Sequence, residues 1–174
     1  MRNAVVIDIN GTLSDVSKVV HYIQGADKDW KGFFGNMNKV PVNPMVKMFI
    51  NALKAGNHGV LVVLVSGAPD IYERQTKEWL AKHGVKYDAI HFRPDWDKRR
   101  GYQFKKTLYE KKLKNLYRVK LVLDDKEDAC RTWTSLGLQC WKLPSDMDDA
   151  NTPQQSQEPG KRYAHLARTA RTRV

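Results

Sequence analysis

Ala4-Val5-Val6-Ile7-Asp8-Ile9-Asn10-Gly11-Thr12 is the stretch that decides the fold. A short β-branched run of this kind marks a strand buried on both faces, as in a parallel sheet. It delivers a carboxylate at its end and then an Asn-Gly turn. Other runs repeat the design: 60–65 ends at Ser66-Gly67, 119–123 ends at Asp124-Asp125, and 89–92 is followed by Arg93. Residues 138–141 offer a short last strand. Between them the apolar residues recur at helical spacing. Met45, Met48, Phe49 and Leu53 do so within 44–55, and Tyr72, Thr76, Trp79 and Leu80 within 70–83. Phe104, Leu108, Leu113 and Leu116 do so within 102–117, and Ala129, Trp133 and Leu136 before Gly137 within 126–136. Alternation of strands and helices predicts an α/β fold, a parallel sheet flanked by helices on both faces. In such sheets ligands bind beyond the carboxyl ends of the strands.

Two regions break the alternation. Residues 13–42 are polar, with Gly and the aromatics Trp30, Phe33 and Phe34, and predict a small helical cap inserted after the first strand. Residues 144–174 turn to Ser, Asp, Gln and Pro and then to Lys and Arg, which predicts a disordered or conditionally ordered tail. The expected body is therefore 1–143.

At 174 residues the chain fits one domain with one sizeable core. No apolar run reaches the roughly 18 residues of a membrane span, and Asp8 comes too early for a signal peptide, so a cytoplasmic protein is expected. Cys130 and Cys140 lack metal-ligand spacing and read as two thiols. The net charge is +11; the tail has five basic and four acidic residues, a net of +1, which leaves +10 on the body. A polyanionic partner, nucleic acid or a nucleotide, is the natural reading. No G-x-x-x-x-G-K-[ST] run occurs, which argues against kinase chemistry in this chain.

If the strands are parallel, Asp8, Ser66, Arg93 and Asp124-Asp125 converge on one rim. Phosphomonoester hydrolysis needs an in-line nucleophile and compensation for phosphoryl charge. Asp8 can attack and form an acyl phosphate. Carboxylate oxygens suit magnesium, which would hold Asp8 beside an anionic substrate with Asp124 or Asp125 completing its ligands. Ser66 and neighbouring backbone N–H groups can hydrogen-bond the phosphoryl oxygens while a lysine neutralises them.

Asp8-Ile9-Asn10-Gly11-Thr12, Leu64-Val65-Ser66-Gly67, Lys105 and Leu123-Asp124-Asp125-Lys126-Glu127-Asp128 resemble the four motifs of the haloacid-dehalogenase (HAD) superfamily. The phosphatase domain of bacteriophage polynucleotide kinase/phosphatase is the nearer resemblance. Val42-Asn43-Pro44-Met45-Val46 resembles the start of its first helix, and Arg93, Asp97, Arg99 and Lys105 keep its spacing. The likeness runs over residues 5–143.

The resemblance implies a HAD-like Rossmannoid sheet with Asp8 as nucleophile and Lys105, rather than Lys106, as phosphate-binding lysine. It places Ser66 on the phosphoryl oxygens and Mg2+ on Asp8, Asp124, Asp125 and the Asn10 carbonyl. Asp128 would orient the acidic loop or the lysine. Thr12, Gly67 and Arg93 would join the substrate-binding set, with Trp30 and Phe33 or Phe34 available to stack on a base.

The departures are specific. Asn10 stands where the family has the Asp that protonates the leaving oxygen and activates water, so metal and substrate binding with poor turnover is expected. The intact acidic set favours a substitution made to trap a complex over a decayed enzyme. Ala68 stands where the phage relatives carry arginine, and their other phosphate-binding arginine after the first motif has no match. The expected activity is a phosphomonoesterase acting on a polynucleotide 3′-end or a nucleotide. A non-catalytic nucleic-acid binder and a small-metabolite phosphatase are the alternatives.

Overall fold

In the computed structural model residues 1–56 and 58–147 are described, so most of the expected tail lies outside them. The strands are β1 (Arg2–Asp8), β2 (Leu61–Pro69), β3 (Ala89–Arg93), β4 (Tyr117–Asp124) and β5 (Cys140–Lys142). They form one sheet in the order β3-β2-β1-β4-β5, every pair parallel.

The continuous apolar runs follow from burial on both faces. Val5, Ile7, Val62, Leu64 and Leu123 face one core, while Ala4, Val6, Val63, Val65 and Val122 face the other. The first core receives α2 (Pro44–Ala55) and α3 (Glu73–Lys82), and the second receives α4 (Gly101–Leu108) and α6 (Glu127–Ser135).

Asn43 starts α2 by accepting the backbone N–H groups of Met45 and Val46, with Pro44 in the first turn. Its buried stripe is Val46 and Ile50; Met45 and Met48, expected to face inward, are exposed. The stretch expected as one helix over 102–117 is α4, a π-helical turn over Tyr109–Leu113, and α5 (Lys114–Leu116). The wider turn takes up a five-residue step, so that Leu108 and the fully buried Leu113 pack on the same core. Leu116 is exposed instead.

The segment after β1 holds a 3-10 turn (Val20–Ile23), α1 (Trp30–Gly35) and a second 3-10 turn (Met37–Lys39). It is a small helical cap, packed into the first core through Ile23, Phe33, Phe34 and Met37. Trp79 in α3 donates its indole N–H to the Val40 carbonyl at 2.8 Å, and Gln75 donates to the Phe34 carbonyl at 3.0 Å. These bonds tie the cap to the body. Met147 is buried in the same core.

The chain leaves β1 toward β2 on one side and later returns to β4 on the other. That reversal opens a crevice at the carboxyl ends of β1 and β4.

Candidate active site

β1 ends at Asp8 and β4 ends at Asp124, so sheet geometry alone brings the two carboxylates together. Lys105, on the inner face of α4, reaches Asp8 Oδ1 at 2.8 Å and Asp124 Oδ2 at 2.7 Å. Lys105 is buried among these carboxylates, and Lys106 is exposed. Asp124 Oδ2 also accepts the Trp133 indole N–H at 3.0 Å, and its Oδ1 accepts the Lys126 N–H at 3.3 Å. Trp133, fully buried on α6, was not assigned a site role from sequence. Its contact with Asp124 needs the helix to fold back over β4.

Asp125 divides its oxygens. Thr12 Oγ1 donates to Oδ1 at 3.2 Å, while Oδ2 is buried and without a hydrogen-bond partner. Thr12, expected among the substrate contacts, is wholly buried, with its hydroxyl turned to Asp125. Gly11 has φ +98°, and a Cβ there would lie 2.2 Å from Asp125 Oδ2. The turn thus requires glycine both for its backbone and for the approach of Asp125. Leu13 and Ser14 N–H groups return to the Ile9 carbonyl at 3.0 and 2.8 Å, closing the turn that holds Asn10.

Ser66 Oγ donates to Asn10 Oδ1 at 3.0 Å and accepts the Ala68 N–H at 3.1 Å. Gly67 and Arg93 line the crevice. Arg93 donates to the Arg99 carbonyl at 2.8 Å, so it also braces the loop after β3.

Phe33 corrects an expectation. Its ring has no exposure, packed edge-on against Trp30 at 6.0 Å and Phe34 at 5.2 Å between centroids, and cannot take a base. Trp30 is 41% exposed, with the Lys126 ammonium 5.9 Å from its ring centroid. Tyr72, not singled out for the site from sequence, lines the crevice and lies against Phe34 at 5.3 Å. Asp128 is exposed in the first turn of α6, and the carboxylate partners of Lys105 are Asp8 and Asp124.

The electrostatics are those of a site short of positive charge. Burial pushes the Asp8 carboxyl up to about 8; Lys105 pulls it down, and Asp124 and Asp125 push it up again. Burial, with Asp124 beside it, raises Asp125 to about 6. Burial disfavours the Lys105 ammonium, but Asp124 and Asp8 outweigh it and hold the lysine charged. One oxygen from each of Asp8, Asp124 and Asp125 lies within 4.8 Å of the others. Three carboxylates against one ammonium, with one carboxylate oxygen unpartnered, fit a hard divalent cation.

A parallel sheet that brings a carboxylate from its central strand to the switch-point crevice, under a cap inserted after that strand, defines a HAD-like α/β hydrolase. The class C acid phosphatase from Bacillus anthracis shares this fold at a TM-score of 0.57 and 17% identity, over 84% of this chain and 68% of that one. The chain belongs to the family of polynucleotide kinase PNKP phosphatase domains, which it matches over residues 2–146.

A chain in the structure of the Pnkp1/Rnl/Hen1 RNA repair complex is similar at 28% identity and TM-score 0.71, over 84% of this chain and 44% of that one. A protein of Autographa californica nuclear polyhedrosis virus named "Putative bifunctional polynucleotide kinase/RNA ligase" is 30% identical over 83 residues, 47% of this chain and 12% of that protein. The chain thus spans less than half the length of these relatives. Among the described residues no helix is long and apolar enough to cross a membrane.

Proposed function

We propose that the chain is a magnesium-dependent phosphomonoesterase that acts on a polynucleotide 3′-phosphate or a nucleotide through a phosphoryl group carried on Asp8. The observation that carries this reading is the Asp8–Lys105–Asp124 triad at 2.8 and 2.7 Å on the crevice floor. Asp8, Asp125 and Asp124 would hold Mg2+ with the Asn10 carbonyl, and the cation would offset the charge of a phosphate beside three carboxylates.

An Asp8 oxygen attacks phosphorus, the bond from phosphorus to the leaving oxygen breaks, and the phosphoryl group stays on Asp8 as an acyl phosphate. Lys105 favours the ionised nucleophile and meets phosphoryl charge. Ser66, released from Asn10 Oδ1, donates to a phosphoryl oxygen. The leaving alkoxide needs a proton, and the second step needs a base for water. Asn10 sits where both would act, but its amide exchanges no proton at neutral pH, so both steps fall to solvent and slow. Water finally attacks phosphorus, releasing phosphate and restoring Asp8.

The polynucleotide class rests on the family match, the +10 body and the basic side chains Lys31, Arg93, Lys98 and Arg100 around the crevice. Asn10 itself favours the second reading, a chain that binds nucleic-acid ends without turning over.

The test is phosphate release by the Asn10→Asp form over 3′-phosphorylated oligonucleotides, nucleotides and sugar phosphates. Release from the first or second group supports the proposal. Release from sugar phosphates alone makes it a metabolite phosphatase, and no release from any substrate by folded, metal-binding protein leaves the binding reading.

A further inference from the structure

The loop over residues 94–100 presents Trp96 at 78% exposure, the most exposed large apolar side chain among the described residues. The loop is firmly held. Asp97, buried, accepts from Arg99 Nε at 2.9 Å, Arg99 Nη2 at 2.7 Å and the Arg99 N–H at 3.1 Å. Arg93 holds the Arg99 carbonyl at 2.8 Å, and the Asp95 N–H donates to Asp70 at 3.1 Å. These bonds fix the backbone on both sides of the indole, so its exposure belongs to a braced loop rather than to a loose one.

The residues on either side of Trp96 line the crevice: Asp95 before it, and Lys98, Arg99 and Arg100 after it. Two of the loop's charges are acidic, but Asp97 is consumed by Arg99, and Asp95 lies 3.6 Å from Lys98. With Arg100 and Arg93 the wall is cationic on balance. Trp30 and Lys126, 5.9 Å apart from ammonium to ring centroid, line the crevice as well. Trp96 itself lies outside that lining, next to the loop's cations, so a strand that leaves the crevice past them meets an exposed indole, the pairing of charge and stacking that grips single strands.

We propose that this loop is a second nucleic-acid contact, in which Trp96 stacks on a base of single-stranded polynucleotide leading away from the terminal nucleotide. The inference rests on the polynucleotide reading of the site and adds a strand path to it. Stacking on an indole tolerates any base, so the contact sets substrate length rather than sequence. It also separates polynucleotide ends from mononucleotides, which reach only the floor and Trp30.

The experiment compares the unaltered chain with Trp96→Ala and Trp96→Phe by fluorescence anisotropy, with Mg2+ present. The probes are a labelled nucleoside 3′-phosphate and a 3′-phosphorylated single strand of roughly ten nucleotides, with a blunt duplex of the same length. Trp96→Ala should weaken the single strand by about 5- to 150-fold, the range of one base–aromatic stack, and leave the nucleoside 3′-phosphate unchanged. Trp96→Phe should keep most of the affinity, and the duplex should not respond. Equal weakening of mononucleotide and single strand, no weakening of either, or equal weakening of the duplex overturns the proposal. A single strand lacking the 3′-phosphate tests the underlying reading separately. If it binds as tightly and still responds to Trp96→Ala, the terminal-phosphate reading fails and the stacking contact stands.

Discussion

The floor of the crevice and its rim hold charge in opposite ways. On the floor Asp8, Lys105, Asp124 and Asp125 are all buried, and their positions follow from strand ends and one helix face. On the rim Lys98, Arg99 and Arg100 are exposed, and the aromatic surface is offered by Trp30 and Trp96. A buried charge that loses its partner is expensive, whereas an exposed ion pair is worth about 0–1 kcal/mol. The difference teaches where to expect sharp effects. Floor substitutions should alter chemistry and folding together, and rim substitutions should alter binding in salt-dependent steps.

Asn10→Asp is expected to give the largest effect, raising turnover by roughly two to four orders of magnitude, the weight of a positioned general acid/base. Initial-rate phosphate release checks it, and Asp8→Asn in that background should remove the gain. A comparable gain at any rim position would erase the distinction between the two regions.

Lys105→Met tests the floor as structure. It leaves Asp8 and Asp124 buried without their cation, a loss of about 3–5 kcal/mol in metal-free protein, and added Mg2+ should recover part of it. Urea melts with and without Mg2+ measure both. Lys106→Met should lie within about 0.5 kcal/mol of the unaltered chain.

The acidic pair sharpens the comparison within the floor. Asp125 Oδ2 is unpartnered, whereas both Asp124 oxygens already accept hydrogen bonds. Asp125→Asn should therefore abolish the rise in melting temperature produced by Mg2+, and Asp124→Asn should reduce it less. Equal losses would mean that the hydrogen bonds already on Asp124 do not weaken its hold on the ion.

The rim should give the smallest effect, read through Asp97. The hydrogen bond from Arg99 holds the Asp97 carboxyl below its ordinary value of about 3.9. A depressed folded value contributes stability above the unfolded value, and that contribution is lost as pH falls through the folded one. The melting-temperature gap between the unaltered chain and Asp97→Asn should be constant above about pH 5 and close as pH falls below about 4. A gap that stays open at low pH would show that Asp97 acts through packing rather than charge.

Much of the floor was legible because it depends on local periods. The run 4–9 reads as a buried strand whatever surrounds it, and a carboxylate at such a strand's end must lie at the sheet's rim. Lys105 and Lys106 could be ordered because adjacent helical positions point to different faces. The rim was less legible. Phe33 and Trp30 are both aromatic members of one short segment, and only packing of α1 on the body decides that Phe33 is buried and Trp30 exposed. Met45 and Met48 misled in the same way, because Val46 and Ile50 offer an equally good helical stripe.

By itself the sequence determined the α/β alternation, the order of the chemical groups along the chain and the presence of an amide rather than a carboxylate at Asn10, since these are properties of residue type and local spacing. Tertiary structure alone decided the rest. Thr12 meets Asp125 across 113 residues of chain, Trp133 turns back onto Asp124, and the order β3-β2-β1-β4-β5 places the crevice between β1 and β4. Each is a contact whose distance in sequence carries no local signal, because a side chain's partner is set by how the layers pack.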